Sequence, residues 1–221
     1  MRRLPAAQRL AIPGPAGALE SVLEEPEGAS RKAFGVVCHP HPLHGGTLDN
    51  KVVHTLARAL QELGIPTLRF NYRGVGRSAG AYDHGVGETE DALAVARAGY
   101  ERWPDAQAWL LGFSFGGIVA LRAAARLDAG GLVTVAPAVG RLDAGDRMPV
   151  CPWLLVQGDA DEVIEAGAVL AWANGLEVAP RIEVLPGASH FFHGRLPELR
   201  ERVVRFVQHA APGILAAPGG D

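Results

Sequence analysis

The sequence predicts one α/β domain built on a mostly parallel β-sheet with helices on both of its faces. Near-continuous apolar runs, of the kind found in strands that are covered on both sides, recur along the chain. Segments with helical periodicity lie between most of them, and this alternation is typical of parallel sheets. With 221 residues, 48% of them apolar, the chain can bury one sizeable core. Because no linker or internal repeat divides it, we expect a single domain over residues 1–221.

The order of strands and helices follows from the pattern of each segment. The apolar runs predicted as buried strands are Phe34–Cys38, Thr67–Tyr72, Ala108–Phe113, Leu132–Ala136, Trp153–Gln157 and Arg181–Leu185. The segments predicted as helices are Asn50–Leu63, Glu88–Arg102, Phe115–Leu127, Glu162–Leu176 and Pro197–Gln208. Leu19–Leu23 is expected to form an antiparallel strand at the edge of the sheet. We expect residues 1–15 and the Pro-, Gly- and Ala-rich tail 212–221 to be loosely held, which leaves a core of about residues 19–208.

Composition and charge argue against several classes of protein. The net charge is −3 and no basic stripe is present, so the sequence does not indicate a nucleic-acid partner. Cys38 and Cys151 stand at the edges of apolar runs and are expected to be buried thiols. The N-terminus lacks the apolar region of a signal peptide, and no apolar stretch is as long as the roughly 18 residues of a spanning helix. We therefore expect a cytoplasmic protein without a membrane partner, and the sequence indicates no oligomeric state.

The most informative segment is Gly112-Phe113-Ser114-Phe115-Gly116-Gly117, which matches the pattern G-x-S-x-G. It follows a predicted strand and precedes a predicted helix, which is the context that a nucleophilic serine on a sharp turn requires. Glycine is needed two residues to either side of Ser114, because a side chain there would collide with neighbouring elements. The following helix directs the partial positive charge of its N-terminus at the reacting centre. The alternative is a glycine-rich turn with an incidental serine, and the partners described next favour a nucleophile.

A serine nucleophile needs a general base, and the base needs an acid that orients it. In this kind of fold such residues stand at the carboxyl ends of the parallel strands. Asp161, at the end of a turn after Gly158, is the expected acid. Asp159 is the competing candidate for the acid, and its alternative is a structural role as a turn or N-cap aspartate. Glu162 is expected in the first turn of the following helix.

The expected base is His190, which follows a loop of small residues at a strand end and can reach the same edge of the sheet. His193 stands at the entry to the last helix and is expected to be a partly exposed loop histidine. His209 lies near the tail and is not expected to take part. The chain order serine, aspartate, histidine is the one that hydrolases with a G-x-S-x-G turn use.

Acyl transfer also needs N–H donors for the negative charge that develops on the carbonyl oxygen. One is expected from the backbone of Phe115, and the second from the loop after an early strand. That loop reads His39-Pro40-His41-Pro42-Leu43-His44-Gly45-Gly46, and since proline has no N–H, His39 and His41 are the candidates in its first turn. By position we expect His41. The rival interpretation is a metal site at His39, His41 and His44, which the two prolines and the lack of a closely spaced acid disfavour.

Together these motifs resemble the α/β-hydrolase superfamily, and more narrowly the small lidless bacterial serine hydrolases that carry a His-Pro-His-Pro loop followed by Gly-Gly-Thr-x-Asp-Asn-Lys. The second part matches residues 45–51, and Phe70–Ser78 matches the arginine–glycine loop of the superfamily. The resemblance covers about residues 19–208. The site residues that it implies are the triad Ser114, Asp161 and His190 and the backbone donors of His41 and Phe115. His44 stands where many relatives have glycine, and it could crowd the site or contact the substrate.

The expected activity is hydrolysis of a small or short-chain carboxylic ester through an acyl-enzyme, without a metal or an organic cofactor. The segment between Pro137 and Cys151 is too short for a multi-helix cap, so we expect an open site. Val139 and Leu142 in this segment could line the site or pack against the core. The same triad would serve an amidase, a peptidase or a thioesterase. A non-catalytic binding protein with this fold is the remaining alternative.

Overall fold

The computed structural model describes residues 6–29 and 32–215, and helices separate most of the strands after β3. The strands are β1 Ala7–Gly14, β2 Gly17–Glu24, β3 Ala33–Cys38, β4 Thr67–Phe70, β5 Gln107–Phe113, β6 Gly131–Val135, β7 Trp153–Gly158 and β8 Arg181–Leu185. The helices are α1 Lys51–Glu62, α2 Val86–Arg102, α3 Phe115–Ala124, α4 Ala166–Asn174, α5 Leu196–Ala210 and α6 Pro212–Leu215, and a short 3-10 helix covers Pro42–His44. Each strand and helix predicted from the sequence is present, with ends that shift by a few residues.

The strands form one eight-stranded sheet in the order β1-β2-β4-β3-β5-β6-β7-β8. β3 to β8 pair in parallel, whereas β2 runs antiparallel to β4 and β1 antiparallel to β2. Along β5, Ala108 and Leu110 belong to the core beneath α2 and α3, and the alternate residues Trp109 and Leu111 belong to the core beneath α1 and α5. Both faces of the central strands are therefore buried, which explains why their sequences are continuously apolar.

The two ends of the described chain are more ordered than the sequence suggests. Ala7–Gly14 pairs along its whole length with β2, so β1 and not Leu19–Leu23 is the edge strand, and residues 7–14 are not loosely held. In the tail, Pro212–Leu215 forms α6 because Ile214 packs into the core at 7% exposure. Residues 1–5 and 216–221 lie outside the described part of the chain.

The carboxyl ends of the parallel strands lie at one edge of the sheet. Residues 136–152, all of which the structure describes, connect β6 to β7 without a helix, so no lid covers this edge. This confirms the prediction of an open site. Within residues 6–29 and 32–215, no helix is long and apolar enough to cross a membrane.

Candidate active site

Ser114 occupies the sharp turn between β5 and α3 in a strained backbone conformation, with φ 57° and ψ −119°. Three backbone hydrogen bonds hold it there: its N–H donates to the Val135 carbonyl at 2.8 Å, and its carbonyl accepts from Gly117 and Ala138 at 2.9 and 3.1 Å. Such strain costs about 1–3 kcal/mol and persists only where the surroundings impose it. The turn therefore presents the hydroxyl at the carboxyl end of β5.

The glycines on either side of Ser114 are required by close backbone approaches. A Cβ at Gly112 would lie 1.9 Å from the carbonyl oxygen of Gly116. A Cβ at Gly116 would lie 2.4 Å from the carbonyl oxygens of both Cys38 and His39. The loop after β3 thus passes directly over the start of α3, which brings the histidine- and proline-rich loop next to the serine.

The structure brings His190 and Asp161 into line with Ser114. The Nε2 atom of His190 lies 3.1 Å from Ser114 Oγ, and its Nδ1 atom lies 2.8 Å from Asp161 Oδ2. The His190 ring is nearly buried and packs against Phe113 at 4.9 Å and Phe191 at 5.1 Å between ring centroids. Because an aspartate carboxylate accepts the Nδ1 proton, Nε2 is left free to accept the proton of the serine hydroxyl.

Each oxygen of the Asp161 carboxylate accepts two hydrogen bonds. Its Oδ1 atom accepts from the backbone N–H groups of Val163 and Ile164 at 2.8 and 2.7 Å. Its Oδ2 atom accepts from the side-chain amide of Gln157 at 3.0 Å in addition to the His190 ring. Burial raises the pKa of this carboxyl, but the hydrogen bonds from His190, Ile164 and Val163 outweigh it, and the net pKa lies below its usual value. Asp161 is therefore held as a carboxylate and caps the turn before α4. The helix itself begins at Ala166, where the Glu165 side chain caps its first N–H groups.

The competing residues have other contacts. Asp159 is exposed, and its carboxylate accepts from the backbone N–H of Gly187 at 2.6 Å, which ties the loops after β7 and β8 together. Glu162 does not belong to a helix, and its carboxylate accepts from the backbone N–H of His190 at 3.1 Å. The hydrogen bond from His190 lowers the pKa of Glu162. His193 is exposed and packs beside Phe191 rather than beside Ser114.

The histidine-rich loop after β3 places its side chains in three different environments. His39 is completely buried. Its Nε2 atom accepts a hydrogen bond from the Tyr72 N–H at 3.2 Å, and its Nδ1 atom donates to the Pro40 carbonyl at 2.7 Å. Burial lowers the pKa of His39 to about 3. The His41 ring accepts from the N–H of Leu43, and the exposed His44 ring packs on it at 4.6 Å. In residues 6–29 and 32–215 no group of three metal-binding side chains is assembled.

The backbone N–H groups of His41 and Phe115 donate to no acceptor within the described part of the chain. Both residues line the cavity that contains Ser114, and their rings lie 5.0 Å apart. Their N–H groups are the donors expected for an oxyanion.

The cavity at Ser114 has a volume of about 460 Å³. His44 and Leu142 line it, as the sequence suggested they could. Val139 does not line this cavity; it lines a neighbouring pocket and packs against the cluster that contains Ile118 and Ile164.

The wall of the cavity also contains residues that the sequence gave no means of finding. Tyr82 and Arg141 come from loops without a motif, and only the fold brings them to Ser114. Gln157, which donates to Asp161, could have been identified from the sequence, because it is a polar residue at the end of an apolar strand.

Two buried polar contacts fix the far end of the histidine-rich loop. Arg69 donates to the Leu48 carbonyl at 2.6 Å and forms a buried ion pair with Glu24 at 2.9 Å. The N–H of Leu48 donates to the Asn71 side chain at 2.8 Å. The loop is therefore anchored to β2 and β4, and the cavity wall is preformed.

The open α/β fold and a serine aligned with a histidine and an aspartate define the class of α/β serine hydrolases. A family model described as serine aminopeptidase, S33, matches residues 41–147. An uncharacterised protein of Rickettsia prowazekii is 34% identical over 181 residues, which are 77% of this chain and 76% of that protein.

Two solved structures are more similar still. An α/β serine hydrolase without lid from Xanthomonas campestris is 42% identical, with a TM-score of 0.89 and 97% of each chain covered. An α-β serine hydrolase homologue from Coxiella burnetii is 47% identical, with a TM-score of 0.84, and the match covers 90% of this chain and 96% of that one. The chain belongs to the family of α/β serine hydrolases that lack a lid.

Proposed function

We propose that the protein is a carboxylesterase that hydrolyses small or short-chain esters through a covalent intermediate on Ser114. The observation that carries this proposal is the continuous chain of contacts from Ser114 Oγ to His190 Nε2 at 3.1 Å and from His190 Nδ1 to Asp161 Oδ2 at 2.8 Å. These distances are within the range that proton transfer and orientation of the base require.

In the first step His190 accepts the hydroxyl proton while Ser114 Oγ attacks the ester carbonyl. The N–H groups of His41 and Phe115 donate to the oxyanion, and His190 then passes the proton to the leaving alcohol. In the second step His190 takes a proton from water, which attacks the acyl-enzyme and regenerates Ser114. Asp161 holds the imidazole in the required tautomer and stabilises its charged form. The residues of this chain account for every proton transfer, so we propose that no cofactor takes part.

The experiment that tests the proposal combines a covalent probe with a substrate series. A fluorophosphonate should label the wild type and Ser189→Ala, a serine variant in the His190 loop, and should not label Ser114→Ala. p-Nitrophenyl esters of increasing acyl length should be hydrolysed by the same two labelled proteins, and a chelator should leave the rate unchanged. Folded wild type that neither labels nor hydrolyses any ester would contradict the proposal and would favour a binding protein.

An aminopeptidase is the second candidate, because the family model that matches residues 41–147 is described as serine aminopeptidase. Such an enzyme must bind the α-ammonium group of its substrate, for which carboxylate side chains are the suitable partners. Among the described residues that line the cavity none is an aspartate or a glutamate, and Arg141 adds a positive charge. This favours an ester. Amino-acid p-nitroanilides provide the test: hydrolysis faster than that of the p-nitrophenyl esters would support the aminopeptidase.

We also propose a cytoplasmic location and a small-molecule ester as the partner, without nucleic acid or membrane. Cys38 and Cys151 are free thiols, and Cys38 is buried while Cys151 is partly buried, which is consistent with a reducing compartment.

A further inference from the structure

Tyr82 stands in the wall of the Ser114 cavity and has a hydroxyl group that the mechanism does not use. Its ring packs against His41, His84 and Phe115, with centroids 5.2, 4.9 and 6.1 Å apart. These contacts fix the ring beside His41 and Phe115, whose N–H groups are the proposed oxyanion donors. The tyrosine is half-buried, so its hydroxyl is within reach of a bound ligand.

The hydrogen bonds of His41 determine what the Tyr82 hydroxyl can do. The backbone N–H of Leu43 donates to His41 Nδ1 at 3.2 Å, so this nitrogen carries no proton. In a neutral imidazole the proton then resides on Nε2, which lies 3.2 Å from the Tyr82 hydroxyl oxygen. His41 therefore donates and the Tyr82 oxygen accepts.

It follows that the proton of the Tyr82 hydroxyl is free. The hydroxyl has no other hydrogen bond with the described residues, and His41 cannot accept its proton. Burial, and then the neighbouring His44 and His84, lower the pKa of His41, which keeps the imidazole neutral. Burial, and then Glu88, raise the pKa of Tyr82, which keeps the phenol protonated. The cavity wall thus presents a fixed O–H donor without an acceptor.

The position of Tyr82 assigns this donor to one side of the substrate. His190 must reach the leaving oxygen, so the alcohol lies on the side of His190, whose ring contacts are Phe113 and Phe191. Tyr82 makes no ring contact with these three residues and lies instead beside His41 and Phe115. The acyl chain, which points away from the leaving group, is the part of the substrate that Tyr82 can contact.

We propose that Tyr82 is a specificity-determining residue that donates a hydrogen bond to an oxygen acceptor in the acyl chain, so that the preferred substrates are esters of oxygen-substituted acids. The proposal rests on the proposed esterase function. Arg141 is in the same wall, and the described lining residues include no aspartate or glutamate, so an oxygen of the acyl chain meets no carboxylate there.

The test compares matched esters that differ by one atom. p-Nitrophenyl methoxyacetate and p-nitrophenyl butyrate have acyl chains of the same length, and so do the 3-methoxypropionate and the pentanoate. The ratio of kcat/KM within each pair is measured for the wild type and for Tyr82→Phe, because comparing variants cancels the different reactivity of the two esters. Tyr100→Phe is the matched control, since Tyr100 packs against Phe34 with ring centroids 5.2 Å apart and does not line the cavity.

In at least one pair, Tyr82→Phe should lower the ratio of methoxy ester to alkyl ester about 3- to 10-fold, the range expected for one lost hydrogen bond. Tyr100→Phe should leave both ratios as they are in the wild type. An equal fall for both esters would mean that Tyr82 acts only through His41 or on the oxyanion, and would overturn the proposal. A third pair, 2-methoxyethyl butyrate and butyl butyrate, carries the methoxy group in the alcohol instead of the acyl chain. If Tyr82→Phe changes the ratio of kcat/KM only in this pair, the proposal is also overturned.

Fluorophosphonate labelling distinguishes failure of the Tyr82 proposal from failure of the esterase proposal. If Tyr82→Phe labels at Ser114 and hydrolyses esters with unchanged ratios, only the role of Tyr82 is refuted. If the wild type neither labels nor hydrolyses esters, the esterase proposal itself fails.

Discussion

Replacing Asp161 by asparagine tests how the carboxylate controls the protonation of His190. Two backbone N–H groups, of Val163 and Ile164, donate to Oδ1, so the amide oxygen of the asparagine must take that position. The amide NH₂ then replaces Oδ2 and faces two further groups, the Gln157 amide at 3.0 Å and His190 Nδ1 at 2.8 Å. Two donors would then meet at each contact, and a change of tautomer at His190 relieves only the contact to its Nδ1 atom.

In the proposed mechanism, this change of tautomer removes the general base. With Nδ1 accepting from the asparagine, the proton of His190 moves to Nε2, which can no longer accept the proton of Ser114. In serine hydrolases with this arrangement, a wrong tautomer lowers kcat by about 10⁴-fold. We expect a loss of this size in kcat with little change in KM, because Asp161 contacts no substrate. The Gln157 amide facing another donor should also cost about 1–3 kcal/mol of stability.

The measurement is steady-state hydrolysis of p-nitrophenyl butyrate together with thermal unfolding of each protein. Asp159→Asn is the matched control, since its amide oxygen can still accept from the N–H of Gly187, and it should keep the wild-type kcat. Retention of kcat within about tenfold by a folded Asp161→Asn variant would refute the reasoning on tautomers. A loss in Asp159→Asn as large as that in Asp161→Asn would refute the choice of acid.

Three further perturbations follow from the same geometry. Ser114→Gly should be more stable to denaturant than Ser114→Ala by about 1 kcal/mol, because glycine tolerates φ 57° although it loses more chain entropy; equal stability would show that the turn is not strained. Gly116→Ala should lower both Tm and kcat, because the added Cβ would lie 2.4 Å from the carbonyl oxygen of Cys38. The control Gly213→Ala has open space around its Cβ and should lower neither. Hydrogen bonds lower the pKa of Asp161 in the folded state below 3.8, so the unfolded state binds its proton first on acidification. The stability due to Asp161 is complete above that value and is lost as the pH falls through the folded pKa, so the free energy of unfolding should decline less steeply in acid for Asp161→Asn than for the wild type.

The central fold and the nucleophile turn could be predicted because they depend on local sequence. The parallel strands are continuously apolar, and the glycines around Ser114 are dictated by contacts within one strand–turn–helix unit. β1 was missed because Ile12 is its one buried hydrophobic residue, so its pattern resembles that of a loop. The start of α4 was placed too early because the Asp161 carboxylate, rather than a helix, satisfies the N–H groups of the intervening turn.

The wall of the cavity could be predicted only in part, because distant loops meet there. His44 could be inferred from its closeness to a motif, and Leu142 as a hydrophobic residue in the loop after β6. Tyr82 and Arg141 belong to no motif, and their position depends on how the loops after β4 and β6 pack over α3. The assignment of a proton to one nitrogen of His41 needs the coordinates of Leu43 and Tyr82, which no sequence pattern supplies.

The connection from β6 to β7, which forms no helix over residues 136–152, has a consequence for the fate of the acyl-enzyme. An enzyme that passes its acyl group to a second alcohol or amine must keep bulk water away while that acceptor arrives. Because residues 136–152 form no helix, no lid has to move before water can reach the proposed acyl-enzyme and compete with other acceptors. Under the proposed mechanism, the absence of a lid therefore favours hydrolysis of the intermediate over transfer of the acyl group to another molecule.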